Sequence, residues 1–185
     1  MGIYTNNFTD KKGSTYKSQG GPYERSADYR RDYLKKHKGF FGIYTCAYCG
    51  RLITKSNMQV DHIYPVNRAA TRTSGKVFVT LNSFWRGKKG RNQGVNGNWN
   101  KTAACPKCNN LKSDKGGLCV TLGYLGRIIN PIIKIAEAGI IGYTAINALV
   151  FGGPTAYMIW AIAGIIGFEA VRTAIVRRIL KAVKK

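Results

Sequence analysis

The sequence predicts an α+β chain: a small mixed domain stapled by cysteines, followed by an all-α hydrophobic helical hairpin. Three observations lead there. Two C-x-x-C pairs, Cys46-Ala-Tyr-Cys49 and Cys105-Pro-Lys-Cys108, bracket a middle stretch of mixed composition. Residues 138–168 carry no charged side chain and are broken once, at Gly152-Gly153-Pro154. The composition shifts abruptly near residue 118, so the chain divides into 1–21, 22–117 and 118–185.

In order along the chain, residues 1–21 are rich in Gly, Ser, Asn, Lys and Tyr without an apolar period, and read as a flexible basic arm. This polar start lacks the apolar core of a secretory signal peptide, so export by that route is not expected. Residues 22–37, PYERSADYRRDYLKKH, put Tyr29, Tyr33 and Leu34 on one side of a helix. Phe40–Thr45 reads as a short strand leading into CAYCG. Asn67 to Asn98 reads as long and irregular, with VFVTL (Val77–Leu81) as a strand and RGKKGRNQGVNGN (Arg86–Asn98) as a basic Gly/Asn loop.

The chain has 30 Lys+Arg against 8 Asp+Glu, a formal charge of +22. Such an excess repels itself unless a polyanion lies against it, so nucleic acid or anionic lipid is the expected partner. Basicity alone does not separate a structural binder from an enzyme. Five cysteines without a signal peptide point to metal binding in a reducing compartment. Two C-x-x-C turns can each place two thiolates on one ion and close a tetrahedral zinc site; a redox pair is the competing reading. Cys119 falls outside the pattern and reads as a small apolar residue.

In VDHIYP, residues 60–65, Asp61 is the sole carboxylate between Tyr33 and Ser113, and His62 is one of 2 histidines. Hydrolysis of a phosphodiester needs a base near neutral pH, which suits His, and a hard cation, which suits a carboxylate. Adjacent strand residues point to opposite faces, so the two can cooperate only at a strand end, bulge or turn. The bland alternative is a charge-balancing Asp beside a packing His.

Taken together, CAYCG, VDHIYP and NKTAACPKCNNLK (residues 100–112) resemble the HNH endonucleases that carry a structural zinc, over about residues 44–115. The resemblance implies a zinc-stabilised ββα-metal fold around one divalent cation, Mg²⁺ or Mn²⁺, and hydrolysis of DNA. It implies His62 as general base, Asp61 and Asn109 as ligands of the catalytic cation, and Asn100 as the residue that ties down the hairpin loop. It also implies Cys46, Cys49, Cys105 and Cys108 as zinc ligands and places Lys112 near phosphate. Asn96 and Asn98 are alternatives to Asn100, because the spacing from His62 is longer than in compact members. The insert offers Trp85, Arg86, Lys88, Lys89 and Arg91 for nucleic-acid contact, against the reading of a solvated basic loop.

In the last third, AGIIGYTA (138–145) recurs as AGIIGFEA (163–170). Folded at the Gly-Gly-Pro break, Gly139 lies opposite Gly167 and Gly142 opposite Gly164, a spacing that lets two helices approach closely. Each uncharged arm is 14 residues, about 21 Å as helix and short of a ~30 Å hydrocarbon layer. Residues 128–176 extend the arms with the i,i+3 pairs Lys134/Glu137 and Glu169/Arg172. Basic flanks put both termini on the cytoplasmic side of a membrane. Val171, Ile175, Ile179 and Val183 alternate with Arg and Lys, as in a helix on an anionic surface. A soluble bundle or a homo-oligomer is the alternative. The expected protein is thus a membrane-tethered or membrane-crossing HNH-type endonuclease, in a phage or as an antibacterial toxin. The competing classes are a non-catalytic zinc-binding assembly protein and a membrane-active domain fused to a nucleic-acid binder.

Overall fold

An antiparallel pair, β1 (Thr5–Thr9) and β2 (Thr15–Gln19), opens the chain with Phe8 in register with Tyr16. The computed structural model describes residues 5–9, 15–19, 28–85 and 94–183. The expected flexible arm therefore contains a strand pair. Thr and aromatic residues in these segments favour extended backbone, but five residues apiece are too few to show a period amid Asn, Lys and Ser.

Helix α1 (Tyr29–Lys36) lies within the predicted helix and buries Tyr33. Strands β3 (Ile43–Thr45) and β4 (Leu52–Thr54) form a second antiparallel pair on either side of the first C-x-x-C turn. Strand β5 (Gln59–His62) pairs across a long separation with β6 (Lys101–Ala104), Asp61 opposite Thr102 and His62 opposite Lys101. Helix α4 (Pro106–Lys112) follows β6 directly, with Pro106 in its first turn and the Cys105 sulfur accepting from the Cys108 N–H.

The described residues between β5 and β6 are largely helical, where an irregular stretch is expected. It forms α2 (Val66–Thr71) and α3 (Thr73–Trp85), then two short 3₁₀ turns at Gly94–Asn96 and Asn98–Asn100. VFVTL is helical, contrary to the strand its β-branched residues suggest. Tertiary packing overrides that weak propensity: Val79 joins Ala69, Val95 and Trp99 in a small core, and Phe78 stacks on Tyr64 with centroids 4.7 Å apart. Residues 86–93 lie outside the described part, and with them Arg86, Lys88, Lys89 and Arg91; the Trp85 side chain is likewise outside it.

Two long helices complete the fold, α5 (Leu118–Val150) and α6 (Thr155–Ala182). They turn back at the predicted Gly-Gly-Pro break. Their lower ends are part of the main core: Cys119 and Leu180, both 0% exposed, pack with Tyr33, Tyr44, Tyr48, Ile53, Met58 and Val60. Contacts thus cross the boundary expected at residue 118. The glycine seam is not observed. A Cβ added at Gly139, Gly142, Gly164 or Gly167 would meet nothing within 4 Å. The half-buried positions of the upper arms are Thr144, Ala145, Asn147 and Ala148 on α5 and Met158, Ala161 and Ile165 on α6, whereas the four glycines are exposed.

Candidate metal centre and adjoining cleft

The first C-x-x-C turn, closed by the Gly50 N–H donating to Cys46 O at 2.9 Å, faces the start of α4. Cys46, Cys49, Cys105 and Cys108 are all buried, and their four sulfurs lie within 4.8 Å of one another. A tetrahedron of sulfurs ~2.3 Å from zinc has edges of about 3.8 Å, and Cys49 and Cys105 stand at 4.0 Å. Backbone N–H groups of Cys105 and Cys108 donate to the sulfurs of Cys46 and Cys105 at 3.3 and 3.4 Å. The hydrogen bond with Cys108 holds the Cys105 thiol well below the usual thiol range, and the same contact pushes Cys108 up. This is a soft, closed donor set that can hold a metal ion such as zinc. Arg177 of α6 is held above its usual range by the neighbouring cysteines, Cys108 foremost, against the opposing effect of its own burial, and so brings positive charge beside a cluster that stays anionic with Zn²⁺ bound.

Beside it, β5 sends alternate residues to two faces. Gln59 and Asp61 face α4. Asn109 donates to Gln59 Oε1 at 2.7 Å, and Lys112 places its ammonium on both Asp61 oxygens at 3.0 and 2.9 Å and on the His62 carbonyl. Tyr48 donates to Asp61 Oδ2 at 2.5 Å. Burial, and then the Asp61 charge, raise the Tyr48 phenol well above its usual range, so it remains a donor. Lys112, expected near phosphate, is instead 1% exposed and acts as the counter-ion of Asp61. The two are 51 positions apart in sequence, and the roll of α4 on the sheet, not the spacing, decides which way the lysine points.

His62 ends β5 and faces the other way. Its ring packs against Tyr29 of α1 at 5.1 Å, and its Nε2 lies 3.3 Å from Asn96 Oδ1. Asn100 is fully buried. Its side chain accepts from the Tyr64 N–H at 2.6 Å and donates to the carbonyls of Tyr64 and Val95 at 3.0 and 2.9 Å. Of the three asparagines weighed, Asn100 is thus the one that clamps the segment after β5 to the segment before β6.

His62, Asn109 and Lys112 line one open cleft of about 510 Å³, with Asn67, Ser113 and Asp114. Sequence reasoning does not single out Asp114. Its Oδ1 is buried without a hydrogen-bond partner among the described residues, and its carbonyl accepts from Arg68 at 2.6 Å. Ser113, at φ +48°, turns the chain at the end of α4 just before it. The signal is faint: one acid at the first turn after a helix full of polar residues. The oxygen donors Asp61 and the His62 carbonyl suit a hard cation in kind, and the Lys112 ammonium occupies both. Asp61 and His62 point to opposite faces of the strand, and the backbone and Lys112 link them. No protein-family model, curated protein or solved structure matches the chain.

Proposed function

We propose that this protein is a metal-dependent endonuclease of the HNH type that hydrolyses DNA phosphodiester bonds and is held at a membrane by its apolar hairpin. The observation that carries the reading is one open cleft lined by Asn109 and Asp114, with the nearly fully buried His62 and Lys112 at its wall, where a strand pair runs directly into a short helix beside a four-cysteine cluster. In this reading His62 removes a proton from the attacking water. Asn100 fixes the backbone that presents it. Asp61 and Asn109 would hold the divalent cation, with Asp114 a further carboxylate within the cleft; such a cation would supply charge neutralisation at the phosphate and the leaving oxygen. Lys112 pairs with Asp61 and holds it in place. A net charge of +22 supports a polyanionic substrate.

The test is nicking of supercoiled plasmid by the full zinc-loaded chain in detergent. Mg²⁺ or Mn²⁺ is supplied or omitted rather than chelated, so the cysteine-held ion stays. Nicking that needs the added cation and drops at least ~100-fold in His62→Ala is expected, the usual scale of a lost general base. A folded, metal-loaded chain that binds plasmid without cutting it supports the second reading, a non-catalytic zinc-dependent assembly protein. One observation favours that reading: Asp61 is already saturated by Lys112 and Tyr48.

A further inference from the structure

Above the ion pairs at their base, both long helices stand clear of the domain. Ile140, Tyr143, Ile146, Leu149 and Val150 of α5 are half exposed or more, as are Tyr157, Ile159, Trp160, Ile166 and Phe168 of α6. They do not fall on one stripe of α6 but surround it, which is the signature of a helix in an apolar medium and not of one covered by a single partner. Two polar side chains of α5 bond back onto their own helix. Thr144 Oγ1 donates to the carbonyls of Ile140 and Ile141 at 3.0 Å, and Asn147 Nδ2 to that of Tyr143 at 3.0 Å. At the tip, the Gly153 N–H donates to Asn147 O at 2.9 Å, and Pro154 has no N–H to satisfy. Such internal bonding lets these groups enter hydrocarbon without an unmet hydrogen bond, and the apolar side chains around α6 are what point to that medium.

The arms are nonetheless short. Residues 138–150 and 155–168 reach about 20 Å as helix, against ~30 Å of hydrocarbon. What lies below cannot follow them cheaply. Lys134 bridges Glu137 at 2.7 Å and Glu169 at 3.0 Å, and Arg172 meets Glu169 at 2.5 Å, so four charges close the base of the hairpin. Beneath them opens a cleft of about 550 Å³ lined by Arg51, Leu52, Lys134, Glu169, Thr173 and Arg177. Glu169 to Arg177 spans about 12 Å along α6, enough to cover a headgroup layer of roughly 5–8 Å.

We propose that the hairpin enters an anionic bilayer from one side and turns back inside it. The Lys134–Glu137–Glu169–Arg172 group sets the depth, and the Arg51/Arg177 cleft receives a lipid phosphate. This deepens the membrane half of the proposed function and is independent of the nuclease half, so His62→Ala floats with vesicles as the wild type does.

The experiment uses the full zinc-loaded chain with vesicles of phosphatidylcholine, alone or mixed equally with phosphatidylglycerol. Flotation with the mixed vesicles is expected. The fluorescence that distinguishes wild type from Trp160→Phe is quenched by acyl-brominated lipid. A protease site inserted between Gly152 and Gly153 survives protease sealed inside the vesicles. Arg51→Gln weakens the preference for the anionic vesicles about fivefold, and soluble glycerol phosphate does not. Cleavage at the tip by enclosed protease means that the hairpin spans, and overturns one-sided entry while leaving membrane attachment intact. No flotation, with a dimer in sedimentation, assigns the apolar arms to a second copy and overturns the proposal and the tether together. Loss of the anionic preference to glycerol phosphate makes the cleft a seat for free phosphate and overturns its lipid role.

Discussion

Lys112 and Asp61 form an ion pair whose side chains are 1% and 7% exposed, with Tyr48 completing the shell of the carboxylate. Deleting one partner of such a pair leaves the other charge stranded, at a cost of about 3–5 kcal/mol. Lys112→Met is therefore expected to lose about 3 kcal/mol in urea unfolding with the cysteine metal retained. Asp61→Asn should lose a similar amount, and the double variant less than the sum. Strict additivity would mean that the pair contributes nothing as a pair. A second arm asks whether this is a cation seat. Millimolar Mg²⁺ should restore part of the stability of Lys112→Met and none of Asp61→Asn; an equal response in both would remove Asp61 from the metal site. At this scale the sequence is most legible where chemistry resides in residue type. Four cysteines, one acid beside a histidine and one clamping asparagine are visible by kind. The counter-ion role of Lys112 and the presence of Asp114 in the cleft depend on the orientation of α4 and on a positive φ at Ser113, and no residue type announces either.

Among the elements, the Cys46–Gly50 turn is the platform on which both long helices sit. Asn130 of α5 donates to the carbonyls of Cys46 and Ala47 at 3.0 and 2.9 Å, and Arg172 of α6 holds Asn130 Oδ1 at 3.0 Å. Two glycines make the approach possible: a Cβ on Gly126 would stand 1.8 Å from Ala47 O, and one on Gly50 would stand 1.7 Å from the Arg172 guanidinium. Metal at the cysteines and docking of the helices are thus coupled through one turn. Chelation of the cysteine-held ion should raise amide exchange in residues 118–130 and 172–183 along with the turn itself, while α2 and α3 around Val79 and Trp99 stay protected, since that core contains none of the cysteines. Uniform deprotection would indicate a single cooperative unit, and protection unchanged in the helices would sever the coupling. Gly126→Ala should reproduce the helix effect with metal bound. The sequence hides this docking for a physical reason. Its contacts are made by Gly, Asn and Thr to backbone carbonyls roughly 80 residues away or more, whereas the change in hydrophobicity at residue 118 suggests a division. The hairpin itself is readable, since an uncharged run broken by Gly-Gly-Pro has few other solutions. VFVTL is not, because a short β-branched run inside a helix differs from a strand only in what packs against it.

For the molecule as a whole, the net charge of +22 has two candidate polyanions to meet, nucleic acid and an anionic membrane. If the same cations served both, a membrane-bound chain would be a poor nuclease, since each surface would displace the other. The two clefts argue for division of labour. The one at His62 and the one at Arg51 and Arg177 share no lining residue, and the first is built around β5 and α4 while the second is built from β4 and the long helices. The expected behaviour follows. Phosphatidylglycerol vesicles at saturating lipid should leave the plasmid-nicking rate within about twofold, whereas a few hundred millimolar salt should weaken DNA binding by about 10³-fold or more, as counterion release from several phosphates requires. Insertion through an apolar hairpin should survive the same salt, because burial of uncharged surface drives it. Competition between vesicles and plasmid, with nicking falling in proportion to lipid added, would show that one basic surface serves both. The membrane would then act as an inhibitor rather than a platform. Retained nicking on the vesicle surface would instead give the hairpin its role: it confines a cationic nuclease to the membrane while leaving its DNA-binding charges free.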